Sequence, residues 1–443
     1  MDSKHDDSVE ELMTVNNLNY DYPDETVVAK SRSLVKSSFN KTTYSAPNEK
    51  ATCYLSYGDA YIDPSNSYLM LDLSVADNTE SIATTGGTEK VELLHGSALN
   101  IFDSIVLTSR SGEQIERVVH PNVRQYHMLP WSNEIDYQSY NYSSFDFWIR
   151  NASQGSGTDY NSAANTDNRT LCIPLSELGL GCFKPDGNKL LPAKLLAGMR
   201  IDIAFADNWF AFTHTNDASA KSNTYSVSNL SFVLDSVVLG DAVLHALNKQ
   251  AASKMGIPLK WKSWDLTQNS VSSGTSINVS AKNALSLATK ACVILCETRA
   301  SNADKSTKNQ LNALLEKWDS QQFRYGSHFY PHQKLTQSAT NSEKEFYMNN
   351  QYVQNNMAKK LNSVRWVDFR TTATSSDATF YSKPAMCSLE SSHLGDLTGV
   401  PISSGRSLDF NGTIASAKSF DIYFFVEYIV RCNIYSTKIV VTE

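Results

Sequence analysis

Apolar and polar residues alternate along most of this chain, and a two-residue period predicts short β-strands. From Tyr68 to Val75, the residues Leu69, Leu71, Leu73 and Val75 share one face, with Pro64, Ser65 and Asn66 supplying a turn before them. Leu99, Ile101, Ile105 and Leu107 continue the period, and Ser111–Gly112 makes a tight turn into Ile115–Val119, which predicts a hairpin. Further on, Ile201, Ile203 and Phe205 face one way, and Val227, Leu230, Phe232, Leu234 and Val237 mark a largely buried strand. The spacing then turns helical, with Val243, Leu244 and Leu247 on one stripe and Gly256 and Pro258 as a stop.

The second half repeats this style. Lys260–Asp265 and Ser276–Ser280 read as strands, and Ala288–Glu297 as a central one. Two helices interrupt them. Asn302–Trp318 sets Leu311, Leu314, Leu315 and Trp318 at i, i+3, i+4 and i+7, and Asn341–Leu361 carries Phe346, Val353, Met357 and Leu361 on one stripe. Helices inserted among strands cover a sheet edge or form a subunit contact, so Leu311, Leu314, Leu315 and Trp318 are candidate assembly or packing residues. Phe420–Val441 is apolar on both faces and must be covered on both.

These patterns predict an all-β chain of two sandwiches of similar size. The expected divisions are a tail at 1–45, a first β unit at 46–236, a helical linker at 237–257 and a second β unit at 258–443. The Asn-, Ser- and Tyr-rich run Asp136–Thr170 reads as a long surface loop.

Composition agrees with a β-rich protein that has polar loops. Among 443 residues, too many for one ordinary core, 41% are hydrophobic and only 19% charged, with 21 Tyr and 18 Phe. No run reaches the length of a membrane span, and Met1–Glu11 is acidic and lacks the apolar core of a secretory signal. Cys53, Cys172, Cys182, Cys292, Cys296, Cys387 and Cys432 are odd in number and scattered through apolar runs, which predicts free, buried thiols made in a reducing compartment. Cys292 and Cys296 share a strand face, yet no neighbouring histidine completes a ligand set, so no metal site is expected. The net charge is −7, and Met1–Tyr44 holds eight acidic residues against five basic ones. This balance argues against direct nucleic-acid binding and against a basic genome-binding arm.

Catalytic patterns are missing. Nine dispersed histidines form no zinc-protease helix, and the chain has no phosphate-cradling loop, dinucleotide fingerprint or nucleophile elbow, so neither catalysis nor a cofactor is expected. His328 and His332 flank Phe329–Pro331 and read as surface or interface residues rather than metal ligands. Asp202 and Asp235 alternate with apolar neighbours and read as a solvated face. Trp209, Trp261, Trp264 and Trp366 could build a sugar-stacking platform, although aromatics on strands more often belong to a core. Seven Asn-x-Ser/Thr sequons follow from the composition, and glycosylation is not expected.

Several runs carry a resemblance when taken in order: Ile173–Leu178, Leu190–Ile203, Leu234–Leu239, Phe323–Gln333 and Phe425–Tyr428. Together they resemble the major capsid proteins of the double jelly-roll lineage, in particular those of polinton-like viruses, adintoviruses and related double-stranded DNA viruses of eukaryotes. The resemblance spans most of the chain from about residue 50. It implies two tandem eight-stranded jelly rolls with strands roughly normal to a capsid surface. It also implies a homotrimer that forms a pseudo-hexagonal capsomer in an icosahedral virion, made in the host cytoplasm or nucleus. Asp136–Thr170 would then be an outward tower. The implied partners are further copies of the chain, penton proteins, and minor capsid or cement proteins, and the acidic tail leaves an internal membrane open as a contact of the inward face. The second reading is a carbohydrate-binding tandem β-sandwich of fibre or lectin type; an enzyme on a β scaffold ranks third, without a motif to support it.

Overall fold

The alternating pattern becomes nineteen strands among the described residues. The computed structural model describes residues 29–47, 49–55, 58–77, 90–93, 98–132, 167–187, 189–207, 212–215, 223–297, 318–336, 344–354, 383–389, 399–403, 405–435 and 438–442. The first half contains β1 (Ala29–Ser38), β2 (Thr43–Ala46), β3 (Lys50–Leu55), β4 (Tyr61–Asp77), β5 (Lys90–Leu93), β6 (Phe102–Thr108), β7 (Gln114–Val119), β8 (Asp167–Pro174), β9 (Met199–Phe205), β10 (Phe212–Thr215) and β11 (Asn223–Leu239). The second half contains β12 (Ile257–Ser280), β13 (Leu285–Glu297), β14 (Trp318–Tyr325), β15 (His328–Thr336), β16 (Ala385–Ser388), β17 (Val400–Ile402), β18 (Leu408–Ile434) and β19 (Ile439–Thr442). Among the described residues three longer helices accompany them, α1 (Pro121–Ser132), α2 (Asp241–Ala252) and α3 (Lys344–Val353), beside a single helical turn at Ala193–Leu196.

In the first half, one sheet runs β1-β11-β4-β8 with β2 also on β11, and a second runs β3-β9-β6-β7. Their inner faces meet. The Tyr44 ring of one sheet lies 5.7 Å from the Phe205 ring of the other, and the Tyr225 hydroxyl donates to the Ala206 carbonyl. Leu69, Leu71 and Leu73 are fully buried, as the alternation requires. The expected turn at Pro64–Asn66 is instead a bulge inside β4, where the register on β11 slips between the pairs Tyr68–Val233 and Asp63–Asp235. A proline is tolerated there because a bulge demands no ladder hydrogen bond from it. Likewise Ala98–Ile101 is a 3-10 turn that feeds β6 rather than the start of a strand.

The second half is organised around β18. One side of it pairs with β12 over nearly its whole length, and the other side pairs successively with β14, β13 and β19. The Phe323 ring sits 4.8 Å from Phe410 and 6.2 Å from Phe424. On a straight strand, fourteen residues would separate those two rings by ~45 Å, so β18 bends over and closes two layers on one core. Matching register slips in β12 fall around Gly274. The two expected strands at Lys260–Asp265 and Ser276–Ser280 are therefore the ends of one bent strand. Of the expected two-sided run Phe420–Val441, the part from Ile422 to Val430 is buried on both faces; beyond it Arg431 is exposed, and Ile439–Thr442 is the separate strand β19.

The expected helix at Asn302–Trp318 is corrected at its end: Trp318 opens β14, while 302–317 lie outside the described residues. Within Asn341–Leu361, the described helix is α3, with Phe346 and Val353 buried; Met357 and Leu361 lie outside the described residues. The run 136–166 also lies outside them.

Candidate assembly interface

A β-strand with an open edge exposes backbone groups that something must cover. Among the described residues β12 pairs with β18 alone, which leaves its other edge without a strand partner there. The first half covers it. The Asp186 N–H donates to the Lys260 carbonyl at 2.9 Å, and the turn at Gly181–Phe183 packs on the Lys262 backbone. Glycine is required at 181 because a Cβ there would lie 2.6 Å from Trp261 Cδ1 and 2.8 Å from the Lys262 carbonyl carbon, and closer still to its oxygen.

Beside this turn lies a buried carboxylate. Glu116 stands on β7 opposite Leu107 and points into the protein rather than into water. Its Oε1 accepts from the Gly181 N–H at 2.9 Å and from Ser263 Oγ at 2.6 Å, and its Oε2 accepts from the Cys182 N–H at 2.8 Å. Burial pushes its pKa up to about 7, against the lowering effect of these three donors and of Arg124. Arg124, on α1, is held down to about 10 by burial, which outweighs the pull of Glu427, Glu116 and Glu177. Its guanidinium lies 5.1 Å above the Trp264 ring, a cation–π contact across the joint.

α1 completes the joint. His120, just before it, has its Nδ1 3.0 Å from Asp103 Oδ1 and meets the Tyr423 ring edge-on at 5.7 Å. Met128 Sδ lies 3.2 Å from Cys292 Sγ, and His127 Nε2 lies 3.4 Å from Cys296 Sγ. The expectation that no histidine approaches Cys292 and Cys296 is thus corrected: α1 brings one from the other half of the chain. The pair still lacks a third ligand, and no group of three or more His, Cys, Asp or Glu fit for a metal occurs among the described residues. All seven cysteines are free, six of them buried. On the second half, Glu427 takes a bond from Thr289 Oγ1 at 2.8 Å and lies 3.5 Å from Lys262 Nζ.

The outward edges are different in kind. Apart from its partner β11, nothing among the described residues pairs with β1, which is exposed on both faces through Leu34. Arg32 on this strand donates to Asp235 and Asp63, and Asp235 is 4% exposed. Asp235 is therefore a buried, paired carboxylate and not part of a solvated face, which corrects the sequence reading. β15 forms another edge with exposed His328, Phe329 and His332, and α3 exposes Met348 and Tyr352.

Of the candidate assembly residues, Trp318 is buried in the second half. Its ring meets Phe410 edge-on at 5.6 Å, and its Nε1 donates to the Lys383 carbonyl. Leu311, Leu314 and Leu315 lie outside the described residues. Trp261 is core and Trp264 is roofed by Arg124, so neither offers a sugar-stacking face; Trp209 and Trp366 lie outside the described residues. Glu116 went unnoticed in the sequence because a single glutamate in a half-polar strand reads as solvated.

Neither a scan of family models nor a search of curated proteins returns a match. Solved structures do match. The chain is similar to VP54 of PBCV-1, fitted into a reconstruction of the virophage Sputnik, at 10% identity and a TM-score of 0.58, covering 96% of this chain and 98% of that one. It is similar to the Faustovirus major capsid protein at 8% identity and a TM-score of 0.53, covering 94% and 92%. The mavirus major capsid protein matches at 8% identity and a TM-score of 0.52, covering 96% and 92%. At such identities the likeness establishes fold, and the fold is all-β, two jelly rolls in tandem.

Proposed function

We propose that this chain is the major capsid protein of an icosahedral double-stranded DNA virus, and that three copies form a pseudo-hexagonal capsomer. One observation carries this reading: the likeness to capsid chains extends over both jelly rolls, with 94–96% of this chain covered, rather than over one borrowed barrel. Two barrels held at a fixed angle give a trimer six similar lobes, which tile a surface by closed symmetry. The joint around Glu116 and Gly181 supports that rigidity, and β1 and β15, each with one strand partner among the described residues, supply edges for neighbours.

In this reading residues 46–236 and 258–443 are the two rolls, 237–257 is the linker between them, and 1–45 reaches toward neighbours or the capsid interior. The finished protein resides in the virion, with penton and minor capsid or cement proteins as further partners. It performs no catalysis. The stripe Leu311, Leu314 and Leu315 takes part in subunit contacts, so Leu315→Asp should lower the trimer fraction at least tenfold in sedimentation while leaving the monomer folded; unchanged trimer would remove that stripe from assembly. Sedimentation equilibrium of the purified chain tests the reading itself. A mass of three chains or more is expected, and interfaces of ~2,000 Å² or more should hold it. A monomer at all concentrations that is retained on a glycan column would overturn it.

A further inference from the structure

We infer that Glu116 is a proton-sensitive latch between the two jelly rolls, which tightens the joint when protonated and eases it open when ionised. The latch is intramolecular and stands apart from the capsid reading; only its effect on assembly rests on that reading.

The geometry suits both states of the carboxyl group. As a carboxylate it accepts from Gly181 and Cys182 of the first roll and from Ser263 of the second. As an acid it keeps the two backbone donors on its lone pairs and turns its proton toward Ser263 Oγ, because a hydroxyl both donates and accepts. What differs is the cost of burial. The side chain is 1% exposed, and the balancing cation is shared: Arg124 on α1 also faces Glu427 on β18 and Glu177 in the turn after β8. Lys262 on β12 is drawn to Glu427. The Cys182 thiol lies beside Glu116, with Cys432 of β18 behind it, and burial drives both thiols upward, so neither contributes charge near neutrality. The facing strand β6 presents Leu107. An opening that admits water would return Glu116 to the ordinary carboxylate range.

The sign follows from proton counting. Burial holds the closed-state pKa at about 7, above the ordinary value of 4.5, so the closed joint binds more protons than the open one between those limits. Closure is strongest below that window, weakens as pH rises through it, and levels off above about 7.

The test is hydrogen exchange at the Gly181 and Cys182 amides of the full-length chain, held below its assembly concentration. Protection factors, which already remove the intrinsic pH dependence of exchange, should fall roughly twentyfold between about pH 5.5 and about pH 7.5 and stay level in Glu116→Gln. If the slope survives in Glu116→Gln, another group carries it and the latch is wrong. Should that variant fail to fold, carboxyl carbon-13 NMR of glutamate-labelled wild type decides: a Glu116 midpoint near 7 is expected, and one in the ordinary carboxylate range overturns the proposal. Trimer fraction against pH is read separately. Absence of trimer at every pH would count against the capsid reading, while exchange still judges the latch.

Discussion

Replacing Gly181 by alanine adds one methyl group where the two halves touch. That carbon would meet Trp261 Cδ1 at 2.6 Å and the Lys262 backbone carbonyl at 2.8 Å and less, whereas unstrained carbon contacts need ~3.5 Å. The obstacle is main chain in a long paired strand, so it cannot swing aside as a side-chain tip would. The turn must instead back away by ~1 Å, at an overpacking cost of about 1–3 kcal/mol. Withdrawal also stretches the Gly181 and Cys182 bonds to Glu116 and the Asp186 bond to Lys260, each worth about 0.5–1.5 kcal/mol net. Together these give a loss of about 2.5 kcal/mol at the least, and up to about 7.5 if all three bonds are lost. Urea unfolding followed by tryptophan fluorescence should show it, and the midpoint should split if the joint fails before either barrel. Gly112→Ala in the β6–β7 turn is the control: it has a left-handed backbone but nothing within 4 Å, so it should cost only about 1–2 kcal/mol. A Gly181→Ala loss no larger than the control's would refute the close docking of the halves.

Three further outcomes are expected. Trp318→Ala should cost about 3–5 kcal/mol in thermal or chemical unfolding, because it empties a site packed on Phe410 in the second barrel; a loss below 1 kcal/mol would remove Trp318 from the core. Arg32→Ala should destabilise by about 1–2 kcal/mol, since it strands the buried Asp235 while the arginine itself is half exposed and screened; urea midpoints equal to wild type would show that water already satisfies that carboxylate. Iodoacetamide at neutral pH should label Cys172 first and leave Cys53 and Cys432 untouched in the native state, as burial pushes both of those thiols up to about 12. Equal labelling of all three, read by peptide mass spectrometry, would contradict their burial.

The division into two β-rich halves was legible because the period-two runs at Leu69–Leu73 and Ile201–Phe205, and the two-sided run from Phe420, each fit one kind of strand only. Spacing was a poorer guide where two periods coincide. Leu311, Leu314, Leu315 and Trp318 fit a helical stripe, yet Trp318 begins a strand, since a tryptophan after a polar pair serves either element equally well. The polar middle of β12 hid its continuity, because a strand that bends over a barrel rim exposes Ser272, Ser273 and Thr275 to water. The joint was the least legible part. Glu116 meets Ser263, and His127 meets Cys296, across separations of 147 and 169 residues, and local pattern carries no information about such pairs. Asp235 resembles a solvated-face residue in sequence for the same reason: its partner Arg32 arrives from an edge strand two hundred residues earlier.

Electron microscopy of the purified full-length chain bears most directly on the idea of a two-barrel tile. Class averages should show a three-fold particle with six near-equivalent lobes, the two lobes of each copy at one constant angle. Single bilobed particles at every concentration, or lobes whose angle varies from particle to particle, would contradict it.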